Sequence, residues 1–412
     1  MAKSEIIVGL DVGTTKVCAV VGEVTKNGVE LSGHGISPCQ GLQKGIVVDI
    51  DATVLAIEEA IEMAQQATGF QIRSVAVGIT GQHIQSFNSR GSIEIERFRD
   101  ITAEDVEQAK EAAQRIDIPA GREIIHSIPR AFRIDGHEGV RRPIGMTGTH
   151  LEVEMHIVTA ETSFLQNLIK CVHQADLSII PGGIILEPLA TAEAVLSAEE
   201  RELGVALVDI GGGTSDVALF RGGGVFHTSV IPVGGNHVTN DLAVGLRVAR
   251  NEAERIKLEH GTALDEGIEE LEAITVTPLG QPADETVRIP KRLIPEIVHP
   301  RMEELFELVA DEIDRADATH QLPAGLVVSG GGSQLPGTLE IASRVLGMPV
   351  RLGAPLDPAA ATSALSGPSF ATGVGLVTYA ARYARYARQR EGQLLEGLFA
   401  GIGRWLRGLL SR

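Results

Sequence analysis

The sequence predicts an α/β protein built from two related halves, and two matched glycine-rich turns are the main evidence for it. One turn, DIGGGTSD at 209–216, lies between apolar runs of strand type at 205–208 and 217–220. The other, DVGTTK at 11–16, has similar surroundings near the start of the chain. Each is a predicted strand, an Asp-apolar-Gly turn with threonine, and a second strand. The two aspartates lie 209 − 11 = 198 positions apart, so we expect each half to aim one hairpin at a shared ligand.

Both turns are suited to bind an anion such as a phosphate chain. A tip made largely of glycine lets several backbone N–H groups approach an anion without side chains in the way. Asp11 and Asp209, each at the end of a strand, are placed to hold a metal-bound water beside that anion. We expect Asp216 to bond within its own turn. The residues expected to contact phosphate are Gly13, Thr14, Thr15, Lys16, Gly211, Gly212, Gly213 and Thr214.

For either turn alone the alternative is an ordinary tight hairpin, and the second copy favours the phosphate site. Neither turn has the sequence of a common phosphate loop. A Walker sequence needs Gly-Lys-Ser/Thr ahead of a helix, and a dinucleotide fingerprint also continues into a helix. Here a predicted strand follows each turn.

Length and composition limit the classes of protein to which the chain can belong. Its 412 residues predict two to four domains. A formal charge of −18 argues against nucleic acid as a generic partner. Cys18, Cys39 and Cys171 are widely separated, which predicts buried reduced thiols rather than disulfides or a zinc site. No apolar run approaches the ~20 residues of a membrane-spanning helix, and we expect a cytosolic protein without a leader segment.

The first half alternates strands with helices. A helix over 52–68 and a strand over 75–79 follow the first hairpin, as in an α/β domain. From about 84 to 161 the sequence becomes densely charged, and short alternating strands near 124–134 and 151–158 predict a small inserted α+β subdomain. Its histidines lack metal-ligand spacing, so we expect them on the surface or in the core.

Glu187 begins a predicted helix of small residues, 187–196, that connects the two halves. Small residues let helices cross closely, so we expect a packed connection. Two interpretations of Glu187 stay open. It is either a carboxylate favoured by the helix dipole or one that faces the phosphate cleft.

The second half contains a polar, helical region over 238–298, interrupted by strand-like runs at 273–277 and 286–289. Within it Glu254 and Lys257 lie one helical turn apart, either as a surface ion pair or as clamps on a nucleotide ribose. An amphipathic helix over 302–316 follows. The strand 325–328 then enters a third glycine turn, and a small-residue helix resumes near 371. Adenine or ribose can lie against the bare backbone of this turn, which consists of Gly330, Gly331 and Gly332.

The order of phosphate turn, connecting helix, phosphate turn, adenosine turn and connecting helix resembles the actin/Hsp70/sugar-kinase ATPase superfamily. Its fold is two-lobed, with duplicated ribonuclease-H-like domains and inserted subdomains. Within it the chain is similar to the FtsA family of bacterial cell-division proteins over essentially its full length. The segments that carry this resemblance include GLQKG at 41–45, IPR at 128–130, DG at 135–136, PIGMTG at 143–148, HIVT at 156–159, RELGV at 201–205 and AERIK at 253–257.

The resemblance implies ATP and Mg²⁺ in a cleft between the lobes, with the metal held mostly through water by Asp11 and Asp209. It implies an actin-like filament on the cytoplasmic face of the cell membrane at the division site. That filament would anchor the C-terminal peptide of FtsZ and recruit later divisome membrane proteins. In Hsp70-like relatives an acidic residue at the position of Glu187 helps to place the attacking water. Binding with slow hydrolysis and binding without hydrolysis both stay open.

The resemblance also implies a domain division. The first-lobe core is 1–83 with 163–197, and the insert for protomer and partner contacts is 84–162. The second-lobe core is 198–237 with 302–380, and its outer subdomain, on the adenosine side, is 238–301. FtsZ is received there, and we expect Lys291, Arg292 and Arg301 to contact it. A linker over 381–397 and a membrane-targeting helix over 398–412 complete the division.

The last residues predict a helix that lies on a lipid surface. On a wheel of about 100° per residue its large apolar side chains share an arc of about 140°, while Arg404 and Arg407 point the other way. From Arg382 onward seven arginines and two glutamates give a formal +5, on a chain otherwise at −18 − 5 = −23. A basic amphipathic helix of this kind binds anionic membranes, although a helix docked on protein is the alternative. The apolar residues are Leu398, Phe399, Ile402, Trp405, Leu406, Leu409 and Leu410.

Three other classes share parts of this pattern. A small-molecule kinase has the same fold but needs a substrate base in the cleft and gains nothing from an amphipathic tail. An Hsp70 chaperone needs a peptide-binding domain for which no residues remain. An actin-like ATPase of pilus assembly is the nearest alternative.

Overall fold

The computed structural model describes residues 5–25, 28–282, 285–356 and 363–385. The strands in this part of the chain are β1 (Glu5–Val12), β2 (Lys16–Val24), β3 (Val29–Pro38), β4 (Leu42–Gln43), β5 (Ile46–Val47), β6 (Ser74–Ile79), β7 (Gln85–Asp100), β8 (Arg122–Ile134), β9 (His137–Val140), β10 (Thr147–Glu161), β11 (Ser178–Leu186), β12 (Val205–Ile210), β13 (Ser215–Arg221), β14 (Gly224–Ile231), β15 (Ala273–Val276), β16 (Val287–Pro290), β17 (Leu326–Ser329) and β18 (Val350–Leu352).

The helices alternate with these strands. They are α1 (Ile50–Thr68), α2 (Ala103–Gln114), α3 (Thr162–Gln174), α4 (Glu187–Val195), α5 (Ala198–Leu203), α6 (Gly235–Leu246), α7 (Arg250–His260), α8 (Leu293–Arg315), α9 (Thr338–Leu346) and α10 over 371–385. Short 3₁₀ turns lie at Gly331–Gln334, Ser363–Leu365 and Pro368–Phe370.

Two sheets of the same topology form the cores of the two lobes. The first has the order β11-β6-β1-β2-β3 and the second the order β14-β13-β12-β17-β18. In each, an antiparallel three-strand meander is extended by two parallel strands. The central strands are apolar and buried along most of their length, as expected where both faces of a sheet are covered. The predicted α/β fold of duplicated halves is therefore confirmed.

The strand registers define the two hairpin tips. Val12 pairs with Val17 in the first sheet, and Ile210 pairs with Ser215 in the second. Residues 13–16 and 211–214 therefore form the ends of equivalent hairpins. This equivalence places one glycine-rich tip of each lobe on the same side of the molecule.

The insert is a separate sheet with the order β7-β10-β8-β9, covered on one face by α2. Its three main strands have 16, 13 and 15 residues, so the short strands predicted from the sequence were wrong in length. The insert also reaches the second lobe at the edge strand β14. Ser86 Oγ donates to the carbonyl of Thr228 at 2.7 Å, and Asn88 Nδ2 donates to that of Phe226 at 3.1 Å. It thus contacts both lobes.

Helix α8 begins nine residues earlier than the amphipathic pattern predicts, and it continues through Pro300. A proline inside a helix removes one backbone hydrogen bond and normally ends or kinks the helix. Here Ile294, Val298 and Met302 are buried against the second-lobe core and continue the apolar stripe across the proline. The packing of this apolar stripe against the core therefore outweighs the tendency of Pro300 to end the helix.

The two connecting helices cross closely, as their small residues predict. A Cβ atom at Gly375 of α10 would lie 1.9 Å from the carbonyl oxygen of Ala190 in α4. No side chain fits this distance, so the crossing requires glycine at 375. The crossing holds the two sheets at a fixed separation beneath the hairpin tips.

The first residues of the predicted linker, 381–385, continue α10. The rest of the linker and the tail helix 398–412 lie outside the described residues. Among the residues that the structure does describe, no helix is both long and apolar enough to cross a membrane. Cys18, Cys39 and Cys171 are buried free thiols, as predicted.

Candidate functional site

A cavity of about 640 Å³ lies between the two lobes, beneath the hairpin tips. This volume is in the range of small-molecule sites, roughly 300–1,000 Å³. All of the residues that the sequence assigns to catalysis or nucleotide contact line it. They are Asp11, Gly13, Thr14, Thr15, Lys16, Glu187, Asp209, Gly211, Gly212, Gly213, Thr214, Glu254, Lys257, Gly330, Gly331 and Gly332.

The two hairpin tips have the same turn and touch one another. Gly13 N–H donates to the carbonyl of Lys16 at 3.0 Å, and Gly211 N–H donates to that of Thr214 at 2.9 Å. A Cβ atom at Gly212 would lie 2.4 Å from Cγ2 of Thr15, so a side chain there would separate the tips. The absence of a side chain at Gly212 therefore allows the two tips to lie in contact.

Lys16 is held at the cleft from the side of the second connecting helix. Its Nζ donates to the carbonyl of Ser369 at 2.6 Å and lies 5.0 Å from the ring centre of Phe370. Its positive charge lowers the pKa of Asp11, in opposition to the larger effect of burial. The ammonium group therefore lies beside the carboxylates of the cleft.

Four carboxyl groups are buried at the base of the cleft, those of Asp11, Glu187, Asp209 and Asp216. Burial raises the pKa of Asp11 to about 6 and that of Asp216 to about 8, and the neighbouring acids contribute to both rises. Burial and the charges of the three aspartates hold the pKa of Glu187 well above its ordinary value. Each of these shifts is opposite to what a bound cation would cause. Carboxylate oxygens are the ligand type that a hard divalent cation such as Mg²⁺ takes, although among the described residues no three acid, histidine or cysteine side chains form a group that could hold a metal ion by themselves.

Asp209 is fixed by both connecting helices. Its Oδ2 accepts hydrogen bonds from Thr191 Oγ1 at 2.6 Å and from Thr372 Oγ1 at 3.0 Å. These bonds oppose the rise in the pKa of Asp209 that burial causes. The sequence analysis missed both threonines because they lie on different helices. The signal for them is the Ala-Thr pair that each small-residue helix contains, at 190–191 and 371–372.

Asp216 does not bond within its own turn, so that prediction was wrong. It accepts a hydrogen bond from Thr80 Oγ1, which follows β6 of the first lobe. Because β6 runs parallel to β1, its carboxyl end meets the same sheet edge as Asp11. The parallel pairing thus brings Thr80 across the cleft to Asp216, and the bond ties the two lobes together.

The second-lobe wall of the cleft contains the predicted pair on α7. Lys257 Nζ lies 2.8 Å from Glu254 Oε2, and it also donates to Thr239 Oγ1 at 2.9 Å. The ion pair therefore exists and lines the cleft, and contact with a ribose stays a prediction. Residues 330–332 lie opposite, in the turn after β17.

The basic residues expected to contact FtsZ are not grouped together. Lys291 pairs with Glu272 at 2.6 Å, and Arg292 is exposed just before α8. Arg301 instead lines the cleft, where its Nε donates to Asp241 Oδ2 at 2.6 Å. Of the three, only Arg301 borders the cleft.

Replacement of Asp216 by asparagine is expected to stabilise the nucleotide-free protein more at pH 8 than at pH 5.5. The pKa of this carboxyl is about 8, against an ordinary 3.8. Between these values the native state keeps a proton that the unfolded state has lost, so stability falls as pH rises. The asparagine amide keeps an acceptor for Thr80 without the charge. We expect the melting temperature to rise by roughly 2–5 °C at pH 8 and by less at pH 5.5. An equal rise at both pH values would contradict the assignment.

Comparison with known proteins is consistent with this architecture. The family model described as "Cell division protein FtsA" matches residues 206–375, and "SHS2 domain inserted in FTSA" matches 81–159. The FtsA of Pseudomonas aeruginosa is 45% identical over 377 residues, which cover 91% of this chain and 89% of that protein.

Two solved structures share the fold. A PilM–PilN type IV pilus biogenesis complex has a TM-score of 0.65 at 19% identity, covering 90% of this chain and 97% of the other. MreB5 of Spiroplasma citri bound to ADP has a TM-score of 0.54 at 15% identity, covering 90% and 94%. Such identities establish the actin-like fold alone. The sequence relatives go further, because identity at 45% extends across the lobes and the insert. The chain therefore belongs to the FtsA family of cell division proteins.

Proposed function

We propose that the chain binds ATP with Mg²⁺ in the interlobe cleft. The observation that carries this proposal is the contact between two equivalent glycine-rich tips above four buried carboxyl groups. A polyphosphate needs many N–H donors, and the buried acids need a cation to be ionised together. A cleft with both features at one place is suited to a metal–polyphosphate complex.

Each part of the cleft would contact a different part of the Mg-ATP complex. The tips 13–16 and 211–214 supply backbone N–H groups and hydroxyls to the phosphates. Asp11 and Asp209 hold the Mg²⁺ mostly through its water, and the ion, when bound, supplies charge neutralisation between the phosphates. Lys16 adds a positive charge at the same end. Glu254 and Lys257 contact the ribose, with Gly330–Gly332 against the adenosine.

Glu187 is the residue proposed to determine whether ATP is hydrolysed. Its carboxyl group lies at the base of the cleft with the aspartates, where it can accept a hydrogen bond from an attacking water. We propose slow hydrolysis, in which Glu187 orients that water while the two aspartates fix the metal. The chemistry otherwise depends on positioning and on charge, as in other phosphoryl transfers.

We further propose that the protein polymerises on the cytoplasmic membrane face, anchors FtsZ there and recruits later divisome proteins. Family membership supports the general role in division. The insert 84–162 would supply protomer and partner contacts, the outer subdomain 238–301 would bind the FtsZ peptide, and the tail 398–412 would bind lipid. Single tails bind weakly, so a filament that gathers many of them raises the avidity.

Recruitment of FtsZ to lipid tests this function. Purified FtsZ is sedimented with anionic liposomes, with and without this chain and ATP. We expect FtsZ in the pellet only when the chain is present, and FtsZ without its C-terminal peptide in the supernatant. FtsZ that stays soluble under all these conditions would contradict the proposal, and a pilus-assembly ATPase or a small-molecule kinase would give that result.

The proposed peptide contact has its own prediction. Lys291→Glu with Arg292→Glu should lower the affinity for the FtsZ peptide by about 10-fold, because each reversal replaces an attraction to acidic residues with a repulsion. Arg301 is left intact because it lines the nucleotide cleft. The matched control is Lys170→Glu with Arg344→Glu, two exposed residues outside the outer subdomain. Equal affinities of the two variants, measured by fluorescence anisotropy, would argue against this contact.

A further inference from the structure

A second, much smaller cavity lies behind the base of the nucleotide cleft. Its volume is about 10 Å³, at the lower end of the roughly 10–15 Å³ that a cavity needs to hold one water. The end of β6, the segment 45–47 and α3 enclose it. Glu187 lines both this cavity and the main cleft, and His83 lines only the small one. Glu187, like Gly45 and Thr80, therefore borders both spaces.

Two residues that line this cavity carry buried polar atoms without a hydrogen-bond partner among the described residues. They are the imidazole of His83, at both ring nitrogens, and Oε1 of Glu187. The two side chains are 4% and 8% exposed, so bulk water does not satisfy them. Buried polar groups are nearly always hydrogen-bonded, and an unmet one is destabilising. One enclosed water can serve both groups if it lies between them.

The surroundings hold both side chains in place. The His83 ring packs against Phe164 with 5.3 Å between ring centres. A Cβ atom at Gly81 would lie 2.9 Å from His83 Nδ1, and one at Gly78 would lie 3.1 Å from Glu187 Oε1. A side chain at Gly78 would therefore collide with the Glu187 carboxyl group, and one at Gly81 would collide with the His83 imidazole.

The imidazole is neutral in this environment. Burial, together with the positive charge of Arg122, lowers the pKa of His83 to about 4. A neutral imidazole offers one N–H donor and one acceptor nitrogen. It can therefore hold a water molecule in one orientation while that water donates to a carboxylate.

We propose that one buried water in this cavity bridges His83 and Oε1 of Glu187, and that His83 is a positioning residue that keeps the Glu187 carboxyl directed into the nucleotide cleft. The inference rests on the proposed nucleotide site, because it gives Glu187 its role there. It adds a residue that touches neither nucleotide nor metal. His83 would affect the nucleotide cleft only by holding the water that fixes the Glu187 carboxyl group.

Crystal structures of the full chain with Mg²⁺ and a non-hydrolysable ATP analogue test the bridge directly. In the unmodified protein we expect one ordered water within hydrogen-bond distance of both groups. In His83→Phe we expect no such water and a Glu187 carboxyl that is displaced or in several rotamers. A dry cavity, or a Glu187 that keeps its place in His83→Phe, would overturn the proposal whether or not the protein hydrolyses ATP.

Single-turnover kinetics give the second test. His83→Phe should slow ATP hydrolysis about 10-fold or more with the affinity for Mg-ATP changed by less than about 2-fold. His83→Gln, which keeps a donor and an acceptor, should retain most of the rate. Added to Glu187→Gln, His83→Phe should have no further effect on the rate of hydrolysis.

Two outcomes would indicate a merely structural role of His83. One is a loss of affinity for Mg-ATP together with the loss of rate, and the other is additive effects of His83→Phe and Glu187→Gln on the rate. His137→Phe, on the exposed surface of the insert, is the control. Absence of nucleotide binding in the unmodified protein would instead contradict the proposed function.

Discussion

Asp11→Ala is expected to weaken the binding of Mg-ATP by at least about 100-fold, or roughly 2.7 kcal/mol. The carboxyl group is buried at the end of β1 and lies near Lys16 and Asp209, whose charges both affect its pKa. Removing it takes away an ionised acceptor for metal-bound water in a place where water from the bulk has little access. Isothermal titration calorimetry measures the affinity.

The dependence of this loss of affinity on Mg²⁺ distinguishes a direct role of Asp11 in metal binding from damage to the fold. With EDTA present, loss of the Asp11 carboxylate removes a repulsion with the phosphates, so affinity for ATP alone should stay equal or rise. Asp117→Ala, an exposed aspartate of the insert, is the matched control and should bind as the unmodified protein does. Equal affinity of Asp11→Ala for Mg-ATP would refute the metal assignment.

Trp405→Glu with Leu409→Glu is expected to abolish sedimentation with anionic liposomes. On the predicted helix wheel both residues lie on the apolar side, and withdrawing them from the lipid interface costs roughly 3–6 kcal/mol. That corresponds to a loss of at least about 100-fold for each anchor. These residues lie outside the described part of the chain, so the prediction depends on their sequence pattern.

A control with the same number of added negative charges isolates the apolar contribution. Ala400→Glu with Ser411→Glu also adds two negative charges, but at wheel positions on the opposite side of the helix, among the arginines. Each charge should cost about 1 kcal/mol near an anionic surface, so binding should weaken without disappearing. If both double variants bind alike, the tail is not an amphipathic membrane anchor.

The parts of the fold that the sequence predicted are those with short-range signals. Each hairpin needs only an apolar run, an aspartate, a glycine turn and a second apolar run, and these lie close together in the chain. The duplication follows because the same signal occurs twice. The small residues of α4 and α10 likewise indicated a close crossing, which Gly375 makes possible.

The parts that the sequence could not predict depend on contacts between distant segments. Thr80, Thr191 and Thr372 bind the buried aspartates from three separate elements, and none belongs to a motif. The continuation of α8 through Pro300 depends on core packing that outweighs a local helix breaker. His83 and Glu187, whose ring nitrogens and Oε1 have no hydrogen-bond partner in the described part of the chain, line the same small cavity only because β6 and α4 meet beside it.

A structure of the protein with Mg²⁺ and a non-hydrolysable ATP analogue tests the central claim most directly. We predict one nucleotide between the lobes, its phosphates against the backbone of 13–16 and 211–214, and the metal facing Asp11 and Asp209. A nucleotide bound elsewhere, or phosphates that contact only one of the two hairpin tips, would contradict the account.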